Sequence, residues 1–232
     1  MTSLLIATRN QHKVGEIRAI LGDTFQCSSL TEFPGAPEVV EDAGTFAGNA
    51  SKKSIELAKW ISSNQPAPER LREPPAHSFV LADDSGLEVD ALGKAPGVHS
   101  ARFAALDSGQ SANSPTADNN SKLLRLLKDV PREKRTARFK CVLALTPILQ
   151  SKTSNASPVC FADEFEVHTQ LFEGVCEGWI GFEQQGENGF GYDPLFFPQG
   201  YDRTFGELSE SVKNQLSHRA KALSLLRRML TT

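Results

Sequence analysis

The N-terminal part of the chain alternates short apolar runs with helical spacings of apolar residues. Residues 4–7 form a compact apolar run, which predicts a buried strand. A polar loop follows, and then apolar residues recur at helical spacing, at Val14, Ile17, Ile20 and Leu21. Gly22 predicts the end of this helix, because glycine readily adopts the backbone conformation that closes a helix. The pattern therefore predicts a strand, a loop and a helix in succession.

A second helix and a second buried strand are predicted next. Thr45 is a good N-cap, and the helix is expected to continue to about Ile61. The apolar run at residues 79–82 predicts a strand that ends in the polar motif 83–86. Between them, residues 62–78 contain four prolines and several charges, so we predict a flexible surface insertion that carries no chemistry.

The remaining chain predicts more strands and two more helices. A polar, turn-like stretch at 108–120 leads into a helix whose apolar residues are Leu123, Leu124, Leu126 and Leu127. Strands are predicted at 138–145, at 163–167 after a loop at 150–157, and at 171–182 with interruptions at Gly174 and Gly178. A last helix is predicted from about Ser217 to Leu230. Strands that first alternate with helices and then follow one another indicate a mixed α/β sheet.

Composition narrows the class of protein. The 232 residues, 39% of them hydrophobic, predict one domain, or one domain with two lobes. A net charge of −3 argues against a protein that coats nucleic acid, although a locally basic pocket for a small anion is compatible with it. No stretch is long enough to span a membrane, and the scattered Cys27, Cys141, Cys160 and Cys176 predict reduced thiols and a cytoplasmic location.

Two candidate sites combine charge with a strand-to-helix geometry. Lys13 follows the loop between the first strand and the first helix and lies in the first helical turn, where the helix dipole disfavours a cation unless an anion binds there. The alternative is a solvated lysine after an ordinary Asn10 cap. Asp83 and Asp84 follow a buried strand, and adjacent side chains of a strand point in opposite directions. One of these carboxylates can therefore bind Mg²⁺, whereas an ordinary turn held by Asp84 is the alternative.

Helix 45–61 supplies a third candidate. Lys53 interrupts the apolar face formed by Phe46, Ala50 and Leu57, so it must find a buried partner, reach a ligand or lie along the helix edge with its charge in water. Glu41, just before this helix, could supply a second metal carboxylate.

The C-terminal half supplies two more candidates. Glycines flank Phe190 and would allow the backbone to approach a planar ligand, with Phe190 available for stacking. Asp193 precedes a proline, which restricts its backbone. Farther on, His218 and Arg219 open the last helix after the cap Ser217, and a bound phosphate or an acceptor-rich base would explain these cations there.

Taken together, these segments resemble the inosine triphosphate pyrophosphatase family, the XTP/dITP diphosphatases. The matching stretches occur in family order at residues 7–13, 45–53, 83–87, 96–103, 189–194 and 217–219. The resemblance implies an elongated α/β fold with two lobes around a mixed central sheet, a nucleotide-binding cleft between them and a homodimer. It also implies Mg²⁺, a small nucleotide as partner, and neither nucleic acid nor membrane binding.

The resemblance further implies roles for individual residues. It implies that Asp84 is the proton acceptor, with Glu41 and Asp84 as the magnesium ligands. Substrate contacts are implied for Thr8, Arg9, Asn10, Gln11, His12, Lys13, Lys53, Ser85, Phe190, Gly191, Tyr192, Asp193, Lys213, His218 and Arg219. The chain departs from the common pattern at Arg9, where many members carry glycine, and at Lys94, which replaces the second glycine of a Leu-Gly-Gly motif.

The implied activity is hydrolysis of ITP, dITP and XTP to the monophosphate and pyrophosphate, which removes deaminated purines from the nucleotide pool. Two alternatives remain open. One is a Maf-like pyrophosphatase for pyrimidine or modified nucleotides. The other is a non-catalytic nucleotide- or RNA-binding module, against which the carboxylates beside a phosphate site argue, because they repel phosphate unless a cation is present.

Overall fold

A computed structural model describes residues 1–64, 78–109, 112–149 and 163–231. Within them, six strands form one sheet in the order β2-β1-β3-β4-β5-β6. The strands are β1 (Thr2–Ile6), β2 (Phe25–Ser29), β3 (Ser78–Val89), β4 (Thr136–Pro147), β5 (Gln170–Ile180) and β6 (Phe196–Pro198). Strand β1 is parallel to β2 and β3, whereas β5 and β6 are antiparallel, so the predicted mixed sheet is confirmed.

The helices are α1 (Gln11–Leu21), α2 (Phe46–Asn64), α3 (Thr116–Leu126), α4 (Glu164–His168), α5 (Glu210–Leu216) and α6 (His218–Thr231). Helix α1 begins and ends where the sequence predicts. The Asn10 side chain accepts hydrogen bonds from the backbone N–H groups of His12 and Lys13, and Gly22 follows the last residue. Helix α2 begins at Phe46, and the hydroxyl of Thr45 accepts a bond from the Gly48 N–H at 3.0 Å.

Both ends of the predicted surface insertion, residues 62–78, belong to regular elements. Helix α2 continues to Asn64, so residues 62–64 are helical, and Ser78 is the buried first residue of β3. Residues 65–77, like the predicted loop at 150–157, lie outside the described residues.

Strand β3 does not end at the acidic motif, contrary to the prediction. It continues to Val89, because Leu87 and Val89 extend the alternation of buried apolar residues beyond Asp83 and Asp84. The two carboxylates therefore lie inside a strand rather than in a loop at its end.

Two further predictions were wrong in their local structure. Residues 163–167 are not a strand: Asp163 accepts a bond from the Phe165 N–H and caps the short helix α4. The stretch 108–120 is not entirely turn-like, since α3 already begins at Thr116. At α4 the cap on a backbone N–H group outweighs the apparent strand pattern, whereas α3 starts directly after Pro115 with no side-chain cap.

The chain divides into two compact units. The first comprises Met1–Asp84 and Val142–Phe172, and the second comprises Ser85–Cys141 and Glu173–Thr232. In the first unit, a core that includes Leu5, Val80 and Ala82 packs with Leu57 and Ala58 of α2. The core of the second unit collects aromatic and aliphatic residues of β3, α3, β5 and β6. Among the described residues, none of the helices combines the length and apolar composition that a bilayer crossing requires.

Candidate active site

The first unit places Asp83 and Asp84 beside two different helices. Because neighbouring residues of a strand point to opposite faces, Asp83 meets α1 and Asp84 meets α2. Lys13 Nζ of α1 lies 2.5 Å from Asp83 Oδ1, and Asn49 Nδ2 of α2 donates to Asp84 Oδ2 at 3.0 Å. Both aspartates are buried. Neither is therefore a turn residue, and each is fixed by a partner on a helix.

Asp84 has an unusual electrostatic environment. The pKa of this carboxyl is raised to about 6, mainly because the group is buried and to a smaller extent because Glu41 lies nearby. Lys13, Lys53 and the hydrogen bond from Asn49 act in the opposite direction. The desolvation of the carboxylate thus outweighs two lysines, which makes Asp84 a candidate for a functional group.

Lys53 connects Glu41 to this strand. Its Nζ lies 2.6 Å from Glu41 Oε1 and donates to the backbone oxygen of Asp83 at 3.1 Å. The lysine is buried together with Phe46, Ala50 and Leu57, the apolar face on which the sequence placed it. It therefore has a half-exposed carboxylate and a buried backbone oxygen as partners and does not extend along the helix edge into water.

The loop before α1 is largely exposed. Thr8 Oγ1 accepts the Asn10 N–H at 3.1 Å, and Arg9 Nη2 donates to the Ala36 oxygen at 2.9 Å. The side chains of Asn10, Gln11 and His12 are exposed. The backbone N–H groups of His12 and Lys13 already donate to Asn10 Oδ1. An anion that binds at this helix start therefore has to share these two donors with the Asn10 side chain.

The second unit holds another charged cluster, around Asp193. Its Oδ2 accepts bonds from the Phe190 N–H at 2.7 Å and from Lys213 Nζ at 2.6 Å. Lys213 Nζ lies 4.7 Å from the centroid of the Phe190 ring, and both Asp193 and Lys213 are buried. A side chain at Gly189 would overlap the Asp193 carboxylate, so this glycine is required for the contact. We refer to residues 186–193 as the glycine loop.

The start of α6 lies next to Ser85. Arg219 Nη2 donates to Ser85 Oγ at 2.9 Å, and its guanidinium carbon is 5.9 Å from the centroid of the Phe190 ring. The His218 ring stacks on Phe139 with centroids 4.9 Å apart. His218 and Arg219 are buried, and the capping prediction for Ser217 agrees with the bond from the Ala220 N–H to its hydroxyl.

Tyr192 of the glycine loop has its side chain in the core of the second unit. Its hydroxyl donates to the Ser100 backbone oxygen at 2.9 Å, and the ring belongs to the core of the second unit. Burial raises the pKa of this phenol. The side chain thus faces the interior of the protein.

Sequence reasoning missed two polar groups that hold the site residues. Asn49 is completely buried between the backbone and Asp84, and Ser100 joins Leu87 to Tyr192. The only indication for Asn49 was its place one turn before Lys53 on the same helix face, and Ser100 lay in a motif to which no role had been assigned.

The model of the Ham1 family matches residues 4–229. The chain belongs to the Ham1 family. This confirms the predicted family, since the Ham1-family relatives include the dITP/XTP pyrophosphatase of Desulforamulus reducens, which is 45% identical over 221 residues, or 95% of this chain and 91% of that protein. The dITP/XTP pyrophosphatase of Exiguobacterium sibiricum is 43% identical and covers 99% of this chain and 97% of its own length.

Solved structures of Ham1 proteins have the same fold. The HAM1 protein of Coxiella burnetii aligns with a TM-score of 0.73 and 33% identity, covering 100% of this chain and 99% of that one. The α/β class with a mixed central sheet is therefore a property that this chain shares with Ham1 proteins.

Proposed function

We propose that this Ham1-family protein hydrolyses deaminated purine nucleoside triphosphates, such as dITP, ITP and XTP, to the monophosphate and pyrophosphate. The observation that carries the proposal is the position of Asp84, a buried carboxyl beside Glu41, Lys13 and Lys53 with its pKa raised to about 6. The names of the relatives, dITP/XTP pyrophosphatases, supply the substrate class.

The residues around Asp84 fit a divalent cation. Among the described residues, no group of three or more histidine, cysteine or acidic side chains forms a complete metal cage. Mg²⁺ does not need one, because it binds through one or two carboxylates and keeps water and phosphate oxygens as its other ligands. Glu41 and Asp84, whose charges repel each other, would hold it. When bound, it neutralises phosphate oxygens and makes phosphorus more electrophilic.

The side chains have distinct tasks in this proposal. Asp84 is mostly ionised at neutral pH, and it accepts a proton from the water that attacks phosphorus. Lys13 and Lys53, which now contact Asp83 and Glu41, offset the charge of the departing pyrophosphate. The exposed loop of Thr8 to His12 contacts the outer phosphates.

We assign the base to residues of the second unit. Phe190 offers a ring for stacking, and Asp193 and Lys213 fix the backbone around it. Donors from His218 and Arg219 suit the 6-keto oxygen of hypoxanthine or xanthine. In adenine they would face an amino group, and each buried donor left unpaired costs about 1–3 kcal/mol.

The family resemblance also supports a homodimer, which light scattering would detect as twice the chain mass. A role in the nucleotide pool supports a cytoplasmic location, with which the free thiols of Cys27 and Cys176 agree. The thiol of Cys160 lies outside the described residues.

The decisive experiment measures turnover of ITP, XTP, dITP, GTP, ATP and dTTP with Mg²⁺ while following pyrophosphate. We expect dITP, ITP and XTP to exceed ATP and GTP, with pyrophosphate as the first inorganic product. Faster hydrolysis of dTTP than of dITP would identify a Maf-like enzyme. Release of orthophosphate without added pyrophosphatase would identify a phosphatase, and binding without turnover would identify a non-catalytic module.

A further inference from the structure

The motif at residues 96–103 has no part in the proposed chemistry, yet it holds several buried polar contacts. Ser100 Oγ accepts the Leu87 N–H at 2.9 Å and donates to the Gly97 oxygen at 2.6 Å. The backbone oxygen of the same residue accepts the hydroxyl of Tyr192 at 2.9 Å. Ser100 therefore joins strand β3, two residues after Ser85, to the glycine loop.

Helix α3 supports the same two segments with consecutive buried side chains. Asn119 accepts the Ala104 N–H at 2.8 Å and donates to the Ala101 oxygen at 3.2 Å, so it holds the end of the motif. Asn120 donates to the Gly191 oxygen at 3.2 Å and to Gln184 Oε1 at 3.0 Å, so it holds the glycine loop. Both asparagines are buried.

We propose that Tyr192 is a positioning residue that controls base selectivity: through the bond of its hydroxyl to Ser100, it holds the glycine loop in one conformation. The inference rests on the proposed function, which assigns the base to this loop. Tyr192 precedes Asp193, whose carboxylate fixes both the Phe190 N–H and Lys213. The hydroxyl that bonds to Ser100 thus belongs to the residue directly before Asp193 in the chain, within the loop assigned to the base.

The physical reason is that discrimination between a keto oxygen and an amino group depends on donors that cannot move. A rigid loop leaves a mismatched donor unpaired, whereas a loose loop can shift and relieve the mismatch. Glycines make this loop intrinsically permissive, since Gly186, Gly189 and Gly191 all have positive φ. Its rigidity must therefore come from contacts such as the one between Tyr192 and Ser100.

The test is Tyr192→Phe, which removes one oxygen and keeps the ring in the core. We expect the ratio of kcat/KM for dITP to that for dATP to fall by about five- to tenfold relative to the wild type. Hydrogen exchange of the amides of residues 186–193 should accelerate, while that of α1 and α2 stays unchanged. Tyr201→Phe is the matched control, because Tyr201 is exposed, and it should leave the ratio within about twofold of the wild type.

A purely structural role would lower the melting temperature and reduce turnover of every substrate alike, leaving the ratio where it was. An unchanged ratio in Tyr192→Phe therefore overturns the proposal. If the wild type hydrolyses no deaminated nucleotide, the proposed function fails separately. The positioning role is then judged by exchange alone, and unaltered exchange in the glycine loop overturns it.

Discussion

At the scale of single residues, Asp84 shows how burial and charge compete. Burial and Glu41 disfavour its ionised form, whereas Lys13, Lys53 and the Asn49 amide favour it. The result is a folded protein in which the pKa of this carboxyl is about 6 instead of 3.8. In the folded protein without a bound cation, burial therefore disfavours the ionised form of Asp84, which the proposed chemistry needs.

The contribution of Asp84 to the stability of the fold depends on pH. Between about pH 4 and 6 the folded protein binds more protons at Asp84 than the unfolded chain does, so its contribution to the free energy of unfolding falls as pH rises. Asp84→Asn should thus raise the stability of the metal-free protein at pH 7, by at most about 3 kcal/mol, and have little effect at pH 4. Urea unfolding in EDTA at both pH values measures this, and a destabilised variant at pH 7 would contradict it.

The same substitution should nearly abolish catalysis. We expect Asp84→Asn to reduce kcat for dITP at least about a hundredfold, because the amide cannot accept the proton of water. Asp129→Asn, at an exposed position after α3, is the control that should retain full turnover. Pyrophosphate release at saturating Mg²⁺ is the measurement, and wild-type turnover in Asp84→Asn would remove this residue from the mechanism.

Lys94 carries backbone strain of its own. Its φ is 71°, which lies in the left-handed region that favours glycine. Lys94→Gly should stabilise the protein by about 0.5–1 kcal/mol, since relief of the strain exceeds the added flexibility of the unfolded chain. Lys94→Ala keeps the strain and should change little. Thermal unfolding of the Lys94→Gly and Lys94→Ala variants measures the difference, and equal melting temperatures would contradict the backbone strain at Lys94.

At the scale of elements, the glycines of β5 pack rather than interrupt. The sequence suggested breaks at Gly174 and Gly178, but the strand is continuous from Gln170 to Ile180. A side chain at Gly174 would overlap the backbone of His218 and Ala222 at the start of α6. The backbones of β5 and α6 therefore lie in close contact at the N-terminal end of α6, which carries Arg219.

Alanine at two glycines should have opposite effects. Gly174→Ala should destabilise the protein by roughly 1–3 kcal/mol, because the backbone of α6 has to move. Gly15→Ala, in the middle of α1 with no atom within 4 Å of an added Cβ, should stabilise it by about 0.5–1 kcal/mol through helix propensity. Urea unfolding measures both, and a tolerated Gly174→Ala would show that the contact is loose.

Long helices were easier to predict than short elements, since the short helix α5 had no predicted counterpart either. The caps Asn10, Thr45 and Ser217 act through bonds within three residues, so the sequence contains the whole cause. Strands β2 and β6 were missed because β2 has a single large apolar side chain, Phe25, and β6 is only three residues long, so neither shows a clear alternation. The alternating residues around Phe165 resemble a strand, yet the local cap at Asp163 makes a helix.

At the scale of the whole molecule, the sequence predicted the residue types of the candidate site but not the directions of their side chains. Lys13, Glu41, Lys53 and Asp84 come from four separate segments, and the structure brings them together within the first unit. Their mutual contacts, and the inward direction of Tyr192, depend on how buried polar groups find partners across the fold. No spacing along the chain encodes that.

Strand β3 has a consequence for how this protein can change over time. Its side chains alternate between two faces, so Asp83 and Asp84 reach different helices only in the present register. Loss or gain of one residue between Ser78 and Ala82 would exchange the faces to which the Asp83 and Asp84 side chains point. It would also turn the Ser85 side chain to the opposite face. Libraries of single-codon deletions should therefore leave no active clone in this stretch, even where every point substitution is tolerated.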